Sequence, residues 1–259
     1  MKQLFLSIFL LAAVAIYAQE ESQQSLPEQQ PISEQMAEEL YRNGQYEDVA
    51  VVYKQLLSEK GESAQLYYNL GNTYFKMNEI GASILNYERA LLFAPSDKDI
   101  LFNLELARTK TVDQLNLFDS FLLQRWWGDL KNLSDERGWG SVAISCFLLF
   151  ILLSFLFFFS RRLLVKKMSF YAGCTIFLLT ICCNVFAFSQ RKKIEFRNNA
   201  IIMAATVTAK SSPDKSGTDL FVLHEGTKIT VKSSLSGWSE IELPDGNIGW
   251  IENNKMEKI

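Results

Sequence analysis

The chain has 259 residues, 48% of them hydrophobic, and carries 29 acidic against 26 basic side chains for a net charge of −3. That length admits one large domain or two small ones, and with 20 acidic against 11 basic residues over 19–137 and 9 against 10 over 190–259, no region offers the basic surface that nucleic-acid binding needs. The hydrophobic share is unevenly spread: residues 141–160 and 168–190 contain no charged side chain, a pattern foreign to a soluble surface.

At the N-terminus Lys2 precedes an apolar run over 4–16, and Tyr17-Ala18 then gives way to the polar Gln19-Glu20. The pattern reads as a secretory signal peptide over 1–18 with cleavage after Ala18, the alternative being an uncleaved N-terminal anchor. Residues 19–32, with Gln-Gln pairs and Pro27 and Pro31, hold too little apolar surface to fold alone and read as a flexible leader.

From Ser33 the apolar residues take helical spacing: Met36, Leu40 and Tyr41, a break at Asn43-Gly44, then Val49, Val52, Tyr53, Leu56 and Leu57. The same pattern returns after 34 residues, pairing Gly44 with Asn78, Tyr46 with Ile80, Val49 with Ser83, Tyr53 with Tyr87 and Leu57 with Leu91. Tyr67, Leu70-Gly71, Tyr74, Ser83, Tyr87, Ala90 and Pro95 together resemble the tetratricopeptide repeat. Gly71 and Ser83 suit points where two helices of a repeat approach closely. The first copy departs from the pattern, with Ala37 for the glycine and Val49 for the small residue. A third copy fades after Leu101 and Leu104 and is expected as one capping helix, giving an array over 33–112. The resemblance implies a binding groove on the inner face of the first helix of each unit, formed by Tyr41, Arg42, Tyr68, Asn72, Phe75, Lys76 and Phe102. The alternative for these residues is a solvated helix face.

Residues 113–140 are expected to lie at a membrane surface. Phe121, Leu122, Leu123, Trp126 and Trp127 sit among Asp119, Gln124, Arg125 and Asp129, and tryptophan favours the headgroup zone; a buried tertiary helix is the competing reading. The run 141–160 is long enough, at about 1.5 Å per residue, to cross the roughly 30 Å hydrocarbon layer. Residues 161–167 then bring four positive charges and no negative one, and 168–190 provide a second span. A positive loop stays in the cytoplasm, so both flanking domains are expected on the outer face of a bacterial inner membrane, toward the periplasm. Arg191-Lys192-Lys193 and Arg197 on that outer side pull against this topology.

Beyond residue 198 short alternating runs appear at 201–207, 220–223, 228–231, 238–243 and 248–251, separated by Ser212-Pro213-Asp214, Glu225-Gly226, Ser236-Gly237 and Pro244-Asp245-Gly246. Five short strands in about sixty residues predict a small all-β barrel. The Gly237-Trp238 and Gly246-Asn247-Ile248-Gly249-Trp250-Ile251 spacing resembles the bacterial SH3-like domain, which makes Trp238 and Trp250 candidates for a ligand groove, with core packing as the alternative. The expected fold class is thus multi-domain: an α-helical tetratricopeptide array, a two-helix transmembrane hairpin and an SH3-like barrel.

His224 is the only histidine, so no triad or His-pair metal site can be built around it, and it reads as a strand or turn residue. No phosphate loop, His-Glu-x-x-His or Gly-x-Ser-x-Gly occurs. Cys146, Cys174, Cys182 and Cys183 all lie in the apolar runs, with no disulfide or zinc pattern. The expectation is a non-enzyme without cofactor or metal.

The order of modules, together with Asn103-Leu104-Glu105-Leu106-Ala107-Arg108 and Trp126-Trp127-Gly128-Asp129-Leu130, resembles the BatE family of the Bat aerotolerance system over almost the whole chain. The resemblance implies an envelope complex with other Bat proteins carrying von Willebrand A domains or repeats, linked to oxidative-stress tolerance and to a MoxR-type ATPase. The expected function is a membrane-anchored scaffold for envelope proteins; the alternative is a peptidoglycan- or peptide-binding protein acting through the SH3-like domain.

Overall fold

The computed structural model describes residues 32–113 and 122–259, with the side chains of 122–125 left aside. The expected signal peptide, nearly all of the expected leader, and Phe121 with the start of the interfacial segment lie outside the described residues. Among the described residues the fold is mixed: eight α-helices and one seven-stranded antiparallel sheet.

Five helices come first: α1 (Glu34–Arg42), α2 (Tyr46–Lys60), α3 (Ala64–Lys76), α4 (Ile80–Phe93) and α5 (Lys98–Arg108). The 34-residue offset read from the sequence is repeated in the backbone. Gly44 and Asn78 both take positive φ, 76° and 62°, and reverse the chain between paired helices. Their amides donate to Tyr41 O at 3.1 Å and Phe75 O at 3.2 Å, and the next amides to Leu40 O and Tyr74 O, both at 3.0 Å. Ser63 and Asp97, again 34 apart, cap α3 and α5: Ser63 Oγ accepts from Leu66 N, and Asp97 from Asp99 N and Ile100 N. Each cap satisfies amides that the first helical turn leaves without an internal acceptor. Inside the second unit Gly71 lies against Tyr87, and Ser83 Oγ donates to Gly71 O at 2.9 Å. Ala37 and Val49, which hold these places in the first unit, are fully buried.

Two long helices follow α6 (Leu122–Lys131): α7 (Glu136–Phe159) and α8 (Leu163–Glu195). Both are long and apolar enough to cross a membrane. Only 6% and 22% of their most apolar stretches are buried, whereas the core helix of a soluble protein is mostly buried. They pack on each other through Phe150 on Phe177 and Phe157 on Phe170 and through Gly173 against Phe150. Large apolar side chains such as Ile144, Phe158, Leu178 and Phe188 face outward, a surface that suits hydrocarbon and not water. The helices outrun the charge-free stretches, and the non-helical link shrinks to Ser160, Arg161 and Arg162, with Lys166 and Lys167 already in α8. Helix extends past the apolar run because it keeps backbone groups bonded internally, while lysine reaches outward to water on its long stem.

The strands are β1 (Asn199–Ile202), β2 (Thr206–Lys210), β3 (Asp219–His224), β4 (Lys228–Leu235), β5 (Trp238–Glu242), β6 (Ile248–Glu252) and β7 (Met256–Lys258). They run in the order β3-β2-β6-β5-β4-β1-β7. The pattern predicts five strands; its first run divides into β1 and β2, and β7 follows a short 3₁₀ turn at Asn253–Lys255. The sheet is open, with β3 and β7 at its edges, in place of the expected closed barrel. Instead of meeting β3, the β1 end of the sheet is held against α4. Ser236 and Gly237, at φ 52° and 85°, make the two-residue link of the β4–β5 hairpin, the turn whose twist matches paired strands.

The run Ala200-Ile201-Ile202 does not alternate because both faces of β1 are buried. Ala200 and Ile202 join the sheet core with Val207, Leu223, Ile229, Ile241 and Ile251. Ile201 and Ile259 point the other way, into the helical core formed by Ile84, Tyr87, Ile100 and Leu104. Polar clamps surround this contact. Glu225 accepts from Gly81 N at 2.8 Å, capping α4 from the β3–β4 turn, since Glu79 makes no side-chain cap itself. Asp113 accepts from His224 N and Thr227 Oγ1 and meets His224 Nδ1, each at 2.7 Å. Arg89 donates to Glu257 at 2.9 Å, and Arg197 holds Glu62 with two guanidinium nitrogens. The sequence reading treats the array and the β-region as separate domains; in the structure β1 and Ile259 join the helical core, while the sheet keeps a second core of its own.

Candidate functional site

The inner face of the array is built by α1, α3 and α5. Residues 65, 69, 72 and 76 recur at three- and four-residue spacing and so share one side of α3. Two adjoining hollows of about 350 and 310 Å³ lie along this face and share Tyr41 and Asn72. The first is completed by Glu38, Arg42, Tyr53, Gln65 and Asn69, the second by Phe75, Lys76, Tyr87, Asn103 and Leu106.

Five of the seven predicted groove residues, Tyr41, Arg42, Asn72, Phe75 and Lys76, are therefore brought together. Tyr68 stands behind them, its hydroxyl accepting from Asn103 Nδ2 at 2.9 Å. Phe102 lies apart, 69% exposed and lining neither hollow. It sits 34 residues after Tyr68, but α5 has no following helix in the array for the ring to face. Asn69 and Asn103, which line the hollows, went unread as site residues. They too are 34 residues apart, but a repeat offset does not say whether a polar residue lines a groove or meets water.

The hydrogen bonds of the groove converge on Asn72. Its Oδ1 accepts from Tyr87 OH at 2.7 Å and from Asn103 Nδ2 at 3.1 Å. With both lone pairs of that oxygen used, the Asn72 amide N–H groups and the Asn103 carbonyl oxygen face the groove without a protein partner among the described contacts. Burial pushes the Tyr87 hydroxyl up to about 12, and burial with neighbouring Tyr46 and Tyr68 raises Tyr41. Both phenols stay neutral across the physiological range, with the Tyr87 proton committed to Asn72. Lys110 lies over the Phe75 ring at 4.5 Å, so this wall of the groove is cationic as well as aromatic. The arrangement offers amide donors and acceptors, flat rings and positive charge, which is what an extended polypeptide with an acidic residue requires.

On the sheet, Trp238 and Trp250 occupy the outer face of the β5–β6 pair, opposite the buried Ser239, Ile241 and Ile251. Both are half-buried, so neither is a core residue. Trp238 lines a hollow of about 360 Å³ with Thr206, Lys210, Lys215 and Glu252; Trp250 stands diagonally across the pair, in register with Lys210 and Glu240. The structure does not join the two rings in one groove.

At the base of the hairpin, Trp127 and Trp139 both pack on Phe186, with centroids 5.1 and 5.0 Å away. Trp139 Nε1 and Gln190 Nε2 both donate to Lys131 O, at 2.9 and 2.8 Å. Trp126 and Trp127 remain 60% and 48% exposed, which suits a helix lying on a surface and not one buried in a core. Among the described residues, no group of three histidine, cysteine or acidic side chains could hold a metal ion. No protein-family model and no curated protein matches the chain.

Proposed function

We propose that this chain is a BatE-like membrane-anchored scaffold without catalytic activity, whose tetratricopeptide array holds an envelope protein in the α1–α3–α5 groove. The observation that carries this reading is which face of the array stays open. The chain's own sheet, read here as an SH3-like domain, packs on α4, while the groove with Tyr41, Asn72, Phe75 and Lys76 is left uncovered. The hairpin α7–α8 crosses the inner membrane, out to in and back, with Arg161, Arg162, Lys166 and Lys167 retained in the cytoplasm. Both folded parts then lie on the periplasmic side, and their common core requires them to share one side.

The partner is another Bat protein carrying a von Willebrand A domain or repeats. A photo-crosslinker at Lys76 is expected to trap it in intact cells, and Asn72→Ala with Lys76→Glu to weaken binding of the purified partner by about tenfold, the equivalent of roughly 1.4 kcal/mol. Unchanged affinity in that double variant rejects the groove.

A second reading is favoured by the two tryptophans on the outer face of β5–β6: the sheet binds peptidoglycan. Loss of peptidoglycan pelleting by the full chain on Trp238→Ala or Trp250→Ala, with folding retained, would support it; pelleting that survives both changes would remove it.

A further inference from the structure

We propose that the cleft where the array, the end of α8 and the sheet meet binds the phosphodiester headgroup of an anionic membrane phospholipid. The cleft holds about 360 Å³. Its floor is apolar, from Leu92, Leu104 and Ile259, and its charged lining is Arg108, Lys193, Arg197 and Lys228 against the single carboxylate of Glu88.

Three of those four cations are matched. Arg108 pairs with Glu88 and Glu105, both at 2.6 Å, Lys228 pairs with Glu88 at 2.7 Å, and Arg197 pairs with Glu62. Lys193 is not: its Nζ donates to Asn132 Oδ1 at 2.8 Å, and among the described residues no carboxylate lies within ion-pair distance. A half-buried ammonium with only an amide for company favours an anion beside it. The surplus is one positive charge, which a monoanionic phosphodiester balances.

Depth identifies the source of that anion. The inference rests on the reading that α7 and α8 span a bilayer. Lys193 follows Gln190, the end of the charge-free stretch, by three residues, or about 4.5 Å of helix. The Trp127 and Trp139 rings pack on Phe186, seven residues or about 10.5 Å earlier on the same helix, so Lys193 lies on the outer side of the zone where amphipathic rings meet headgroups. The apolar floor suits the glycerol and first methylenes of a lipid, which free phosphate would leave uncovered.

The test uses the full chain, reconstituted in vesicles of equimolar phosphatidylcholine and phosphatidylglycerol, then released and weighed by native mass spectrometry. Phosphatidylglycerol is expected to be retained in preference, with Lys193→Gln reducing retention roughly fivefold, the weight of one basic residue at an anionic surface. Lys193→Arg should restore it, and Lys192→Gln on the exposed side should leave it unchanged. No lipid preference in the wild type, or equal retention in the two glutamine variants, overturns the proposal. Displacement of the lipid by millimolar glycerol 3-phosphate overturns the lipid as source and assigns the cleft to a soluble phosphate ester. Extraction of the chain from vesicles by alkaline carbonate rejects the hairpin reading and this proposal together, whereas an inserted but unselective chain rejects the lipid site alone.

Discussion

Gly71 lies so close to Tyr87 that a Cβ added there would meet two ring carbons at 2.7 Å. Gly71→Ala is therefore expected to cost about 1–3 kcal/mol through overpacking, read as a lower midpoint in denaturant. That contact was legible from Leu70-Gly71 and Ser83 at their repeat positions, because close helix packing restricts residue size. Asn69 and Asn103 were not, since polar residues on a helix face look alike whether they line a groove or meet water. The clamp at Asp113 was equally hidden, as nothing local links it to a histidine 111 residues away. Burial alone would raise the Asp113 carboxyl, but hydrogen bonds from Thr227 and His224 outweigh it and hold the group below its ordinary value. Glu88 is likewise lowered, its burial overcome by Lys228 and Arg108, and the hydrogen bond from Arg197 lowers Glu62. A carboxylate with a depressed folded pKa stabilises fully above the ordinary range, about pH 4 to 4.5, and loses that contribution as pH falls through the lower folded value. Protease resistance of the array is thus expected to hold at pH 6 and to decline below about pH 4, and Asp113→Asn should flatten part of that decline.

Elements were readable in proportion to how strongly one period dominated them. The 34-residue offset placed both helix pairs and the turn residues Gly44 and Asn78, and two long uncharged runs placed α7 and α8. Strand β1 was less plain, because Ala200-Ile201-Ile202 lacks the alternation of a half-buried strand and passes as one longer run with β2. Its meaning depends on α4, which the local sequence does not contain. The cap on α4 has the same character: the acceptor for Gly81 N is Glu225, from another part of the fold. Glu225→Gln is expected to lower stability by about 0.5–1 kcal/mol, since the amide still accepts while the charge at the helix N-terminus is lost. Glu225→Ala should cost more. Amide exchange at Gly81 is the site-specific measurement, and unchanged protection in Glu225→Ala would remove the cap.

At the scale of the molecule, Ile201 and Ile259 complete the helical core, so the array and the sheet are expected to fold as one unit. The expected outcome is one thermal transition for both parts, with Ile201→Ala lowering it by about 2–5 kcal/mol as read by helical and sheet signals alike. Two separate transitions, only one of them shifted, would contradict the shared core. Residues 198–259 alone should expose that apolar face and bind a hydrophobic dye, so removing the array is a poor way to isolate the sheet's function. Point changes in the groove are the cleaner instrument.

The clamps at Asp113 and Arg197 also set how the molecule carries load. The chain heads for the hairpin after Asp113 and returns from it at Arg197, and each point is tied to a part of the fold distant in sequence: Asp113 to His224 and Thr227, Arg197 to Glu62. Tension on a partner seated in the groove would divide between two attachments in parallel instead of peeling one strand at a time. The block would then hang from the hairpin by two ties, and severing either clamp should lower the force at which the array tears free of the sheet.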